Sequence, residues 1–216
     1  NARYVTSSGL FGQQEKTGLE TGVYRPEKPV LNSSLKKLRL LRRDRMRDKK
    51  ELILRVVFPL ILVAAALFFI SPVFHDINNV GVSDWDSHFF FHAVPLRTIA
   101  EFGQFPLWNP YYCGGNAMLA SPESNFFAPS FIFVLLFGEV VGVKLIIAFY
   151  AVMGFLGMYL LARVLGMKRA SSLVPAVIFM TSSWFALRIS EGHSSFLPFG
   201  LMPFVAAMFV KSLEEK

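Results

Sequence analysis

The run from Val56 to Phe74 carries no charged residue, and as a helix rising about 1.5 Å per residue it is long enough to cross a hydrocarbon layer of ~30 Å. It follows more than fifty residues in which polar and charged ones predominate. A cleaved signal peptide would stand at the extreme N-terminus and end in small residues, so this run reads as an anchor. The rest of the composition agrees, since 53% of the chain is apolar and phenylalanine occurs 23 times, more than a soluble core needs. The fold class expected is an all-α integral membrane protein, a polytopic helical bundle. The one cysteine, Cys113, excludes an intramolecular disulfide and a thiolate metal cluster.

Charge placement orders the chain. From Lys36 to Lys50 there are nine basic residues and two acidic ones, directly before the first span. Lys and Arg in such a flank stay on the cytoplasmic side, and near anionic lipid each contributes about 1 kcal/mol of attraction. Nucleic acid is the competing partner for so basic a run, but the juxtamembrane position already accounts for the charge. Residues 1–51 therefore read as a disordered, basic, cytoplasmic segment, with 52–216 as the transmembrane domain. Spans are expected near 54–74, 143–163, 170–188 and 194–211, the last three placing Arg163, Lys168, Arg169 and Lys211 on the inner side. The large first outer loop, 75–142, contains a shorter apolar piece near 126–138 that ends at Gly138 and reads as an interfacial helix. Counting that piece as a fifth span would put Lys168 and Arg169 outside. The chain also reads as part of a longer protein.

The outer loop holds the residues that can do chemistry. Ser83-Asp84-Trp85-Asp86-Ser87-His88 opens a helix reaching Phe102, with Phe89, Phe90, Ala93, Leu96, Ile99 and Ala100 at roughly helical spacing. Asp84 and Asp86 could ligate a hard divalent cation, or one could act as general base; the plainer alternative makes Asp84 an N-cap and Asp86 a first-turn acid. His88 and His92, four apart on one face, have the spacing of a two-imidazole metal pair, or are merely tolerated at an aromatic boundary. The stretch Gly103 to Asn116 combines turn residues with aromatics and should be an ordered loop. In it Trp108 and Asn109, followed by Gly114 and Gly115, suit sugar or headgroup contact, although Trp also collects at interfaces. Arg188, Glu191 and His193 fall at the outer mouth of a helix pair. There Arg188 is a candidate for phosphate, or simply pairs with Glu191 at i, i+3.

Taken in order, the DWD acidic pair, the GQFPLWNP stretch with its Gly-Gly turn, the ASPES segment containing Glu123, and the later Gly192-His193 resemble bacterial YfhO-type membrane proteins over about residues 52–213. That family is similar to the GT-C glycosyltransferases. The resemblance implies location in the bacterial inner membrane and a polyprenyl-phosphate sugar as donor, with an envelope glycan, lipid or protein as acceptor. Asp84 and Asp86 match the acidic residue that serves such enzymes as base or metal contact, and Gly192 with His193 would face the same cavity. His88, His92, Trp108, Asn109, Gly114, Gly115, Glu123, Arg188 and His193 are the expected substrate contacts. A divalent cation, Mg or Mn, is a possible cofactor, with Asp84 and Asp86 its candidate ligands. The rival class is a non-enzymatic membrane protein that binds or assembles envelope polymers. A transporter is disfavoured because no expected span carries an ionisable residue in its middle.

Overall fold

The structure is a computed structural model that describes residues 31–214, with side chains described from Lys36 onward. Contacts divide the chain into two units, residues 1–47 and 48–216. In the first, the described part is the beginning of helix α1 (Leu31–Ile70), whose side chains from Lys36 to Arg47 are exposed. The stretch 31–51, expected to lack fixed structure, is thus helical. Its Leu, Arg, Lys and Met are good helix formers, and extending an existing helix adds one hydrogen bond per residue without a new nucleus. The expectation for residues 1–30 lies outside the described residues.

In the second unit α1 turns one stripe inward. Leu62, Ala66 and Ile70, spaced by four, are buried, while Leu60, Ile61, Leu67 and Phe68 on the other face are exposed, the pattern of a helix with protein on one side and lipid on the other. A 3-10 turn (Ser71–Phe74) leads into the loop that precedes α2 (Trp85–Phe102). Then come a two-residue antiparallel ladder, β1 (Trp108–Asn109) with β2 (Asn116–Ala117), and α3 (Ile132–Val164). The chain ends in α4 (Leu173–Met180), α5 (Ser183–Glu191), a 3-10 segment (Ser194–Leu201) and α6 (Met202–Glu214).

Helix α3 is the centre against which α2, α4, α6 and the 194–201 segment pack. Close approach depends on small residues. A Cβ on Gly154 would fall 2.0 Å from the Met180 sulfur, and one on Gly200 would fall 2.6 Å from the Tyr150 carbonyl oxygen. Where lipid replaces water outside the bundle, such contacts carry helix association. α3 is also broken at Gly138 (φ 78°, ψ 173°), and a Cβ on Gly142 would fall 2.5 Å from Val134 Cα. Residues eight apart come that close only because the piece before Gly138 folds back.

Among the described residues four helices are long and apolar enough to cross a membrane: Lys36–Phe74, Pro129–Val164, Leu173–Glu191 and Ser194–Glu214. The protein is therefore an α-helical membrane protein. At one end of the 48–216 unit, Arg169 pairs with Glu51 at 2.7 Å and Arg163 bonds the Met167 carbonyl. At the other end Lys144 reaches the Asp76 carbonyl, and the Asp84 N–H donates to the Glu191 carbonyl at 3.2 Å.

Candidate functional site

Asp84 occupies the N-cap position of α2, yet its carboxylate makes no capping bond. A capping Asp normally accepts from the first free N–H groups of its helix; here Oδ2 instead receives His193 Nε2 at 3.2 Å. The opposite imidazole nitrogen, Nδ1, takes a bond of 2.7 Å from Arg188 Nη1. A guanidinium can only donate, so Nδ1 is the acceptor, and the proton of a neutral ring then sits on Nε2, aimed at Asp84. Arg188, His193 and Asp84 form a chain in which each member fixes the next.

The backbone holds this chain together across more than a hundred residues. Gly192 closes α5 in the left-handed conformation (φ 84°), and a Cβ there would fall 2.5 Å from Trp85 N. Only glycine lets the α5 end lie this close to the α2 start. Trp85 Nε1 donates to the Ile189 carbonyl at 2.7 Å, and Ser83, itself at positive φ, reaches Glu191 Oε2 at 3.5 Å. The expected Arg188 to Glu191 pair does not form: Arg188 turns to His193 and lies over the Trp184 and Phe196 rings at 5.7 and 5.0 Å. Its Nε is buried without a partner among the described residues.

Two buried histidines back the group. The inward face of α2 comprises Trp85, His88, Phe89, Phe91, His92, Val94 and Pro95. This is rotated from the face expected from Phe89, Phe90, Ala93, Leu96, Ile99 and Ala100, because imidazoles with internal partners bury more readily than the apolar pattern assumed. His88 Nδ1 pairs with the Ser194 hydroxyl at 3.0 Å, and His92 Nδ1 donates to the His88 carbonyl at 2.7 Å. Burial pushes His88 below the usual histidine range; the Glu123 charge opposes this, His193 adds to it, and Asp84 opposes it. His92 is lowered as well, by burial first, with the bond to the His88 carbonyl acting the other way and the His88 charge the same way. Each ring thus has a polar partner on Nδ1, which fixes its orientation.

The remaining candidates fall elsewhere. Asp86 is exposed and, among the described residues, accepts only from the neighbouring Ser87 N–H, at 2.7 Å. Trp108 is largely exposed with its ring against Gly115, while Asn109 is buried, caps the Tyr111 N–H at 2.9 Å, and leaves Nδ2 without a partner. Gly114 and Gly115 sit at positive φ beside Cys113, which is exposed. This loop meets α2 through Tyr112 against Phe90 and Phe91, not through the Asp84 group. Of the more distant candidates only Glu123 acts on the group, through its charge on His88. A magnesium or manganese ion prefers several oxygen ligands. Asp84 is committed to His193, and no three His, Cys, Asp or Glu side chains cluster as a metal set among the described residues. Two carboxylates, one of them already bonded to His193, are a sparse donor set for that ion.

Sequence reasoning passed over Ser194 and Lys144. Ser194 carries no local signal, whereas Lys144 has one: a lone cation just inside an otherwise apolar span. No family model, no curated protein and no solved structure matches this chain.

Proposed function

We propose that this protein is a membrane glycosyltransferase that moves a sugar from a polyprenyl-phosphate donor to an envelope glycan, lipid or protein acceptor. The observation that carries the reading is the Asp84 carboxylate, withheld from its own helix and oriented by His193, which Arg188 orients in turn. An acceptor hydroxyl attacks the anomeric carbon, Asp84 takes the hydroxyl proton, and the bond from that carbon to the phosphate oxygen breaks with its electron pair leaving on the lipid phosphate. Arg188, with an unpartnered Nε, supplies the positive charge that stabilises the leaving phosphate. On this reading the Asp84 end faces outward from a bacterial inner membrane, the N-terminus is cytoplasmic, and the piece before Gly138 lies along the interface.

The test is sugar transfer from a mixed polyprenyl-phosphate pool to endogenous acceptors in membranes. Wild type and Asp86→Asn are expected to transfer and Asp84→Asn to fail at equal expression; a silent wild type, or an Asp84→Asn as active as wild type, sinks the assignment. One observation favours the binding or assembly role instead. Phe105, Trp108, Tyr111 and Phe127 are exposed around the outer loop, a surface on which sugar rings can stack. Glycan retention without turnover, lost in Trp108→Ala and kept in Asp84→Asn, would select that role.

A further inference from the structure

A second polar site lies apart from the Asp84 group. Lys144, six residues beyond the Gly138 break in α3, is only 4% exposed. Its amino group has one hydrogen-bond partner, the Asp76 carbonyl, and makes no ion pair among the described residues. The nearest acidic side chain acting on it is that of Asp76 itself, whose carboxylate is turned to the Asn78 N–H at 3.1 Å. A lysine ammonium has three donors, so two remain for a ligand. They border a pocket of about 260 Å³ whose wall includes Asp76, Asn79, Gly81 and Trp85. The Asp84, His88, Arg188, His193 and Ser194 side chains do not line it; Trp85, bonded to Ile189, stands as the partition.

Pro72 lines this pocket and also a second one. An apolar groove of about 420 Å³ runs from that proline along α1 and α3, with Ala65, Phe69, Phe155 and Val177 among its walls. A cation on a small polar pocket, with a hydrocarbon groove beyond the shared Pro72, matches an amphiphile with a negatively charged head. A buried charge among apolar helices costs several kcal/mol unless something pairs with it. A soluble anion could satisfy Lys144 but would leave the groove unused.

We propose that Lys144 and this pair of cavities bind an anionic phospholipid, its phosphate on the Lys144 ammonium and one acyl chain in the groove beyond Pro72. The site does not depend on glycosyl transfer and lies outside the residues assigned to it. The experiment measures retention of phosphatidylglycerol by the full chain, reconstituted in phosphatidylcholine nanodiscs doped with phosphatidylglycerol and read by native mass spectrometry. Wild type is expected to hold the anionic lipid against dilution, and Lys144→Met to hold it about tenfold more weakly. Lys144→Arg should keep most of the affinity. Val177→Trp, which fills the groove without touching the cation, should also weaken retention, and excess inorganic phosphate should not displace the lipid. Equal retention in wild type and Lys144→Met, with both well folded by circular dichroism, overturns the proposal. So does full displacement by inorganic phosphate with no effect of Val177→Trp, which makes the pocket a site for free anions. Transfer activity in the same samples separates the two readings, since a wild type that transfers sugar but does not retain the anionic lipid defeats this inference alone.

Discussion

The two ends of the 48–216 unit solve the problem of ending a helix in different ways. At the Arg169 end, Arg163 and Ser172 serve local needs, Arg163 bonding a carbonyl four residues on and Ser172 Oγ donating to the Lys168 carbonyl at 3.0 Å, and the long-range contact there is a plain ion pair of Arg169 with a half-exposed Glu51. At the Asp84 end, groups with a local use decline it. Asp84 leaves its cap, Arg188 leaves Glu191, and both converge on His193. A helix start that forgoes its cap gives up about 1 kcal/mol. Such departures from local consistency concentrate where a protein does its chemistry.

The contrast can be broken in several ways, beginning with the largest effect. Asp84→Asn should lower sugar transfer by about 10²-fold to 10⁴-fold, and the double variant with His193→Gln should lose little more, because the pair acts as a unit. Independent losses that multiply in the double variant would show that the contact is incidental. Glu51→Gln at the other end should leave transfer unchanged.

Next comes a pair of glycines with the same φ of 84° and different surroundings. A Cβ on Gly192 meets the α2 backbone, whereas one on Gly166 meets nothing within 4 Å. Gly166→Ala should cost only the backbone strain, about 1 kcal/mol; Gly192→Ala should cost about 3 kcal/mol or more, since helices must also separate. Thermal unfolding in detergent compares them, and equal costs would deny that α5 and α2 are locked together.

The pH dependence sharpens the same point. His88 and His92 have folded pKa values below their unfolded value of 6.5, so the unfolded chain binds protons first as pH falls. Their stabilisation is complete above that value and is lost as pH drops through it toward the lowered ones. Melting temperature should therefore fall from about pH 7.5 to about pH 5, and less so in His92→Gln. A flat profile would mean the imidazoles are not buried against Ser194 and the α2 backbone. The smallest effect belongs to the other end: Glu51→Gln should shift stability by about 0.5 kcal/mol or less, read by the same melts.

Much of the architecture was legible because it depends on neighbours in sequence. The charge-free run from Val56 becomes the C-terminal part of α1 and the turn after it. The turn residue Gly103 ends α2 at φ 59°, its N–H bonded to the Ile99 carbonyl at 3.1 Å. The break expected after the apolar piece falls at Gly138. Of the candidate residues, Asp84, His88, Arg188 and His193 do come together, while Asp86, Trp108, Asn109, Gly114 and Gly115 stand outside the group. Spacing placed Asp84 and Asp86 on equal terms. What separates them is a histidine 109 positions away, and no local pattern carries that information.

Sequence by itself determined that this chain forms apolar helices long enough to cross a membrane, because length, hydropathy and charge are properties of short windows and lipid admits few ways to satisfy a backbone. The tertiary structure alone decided which carboxylate is oriented, which histidine orients it, and that Lys144 faces a pocket rather than water. Those outcomes hang on close approaches such as that of Gly192 to Trp85, where a fraction of an ångström in helix packing selects one pairing over another.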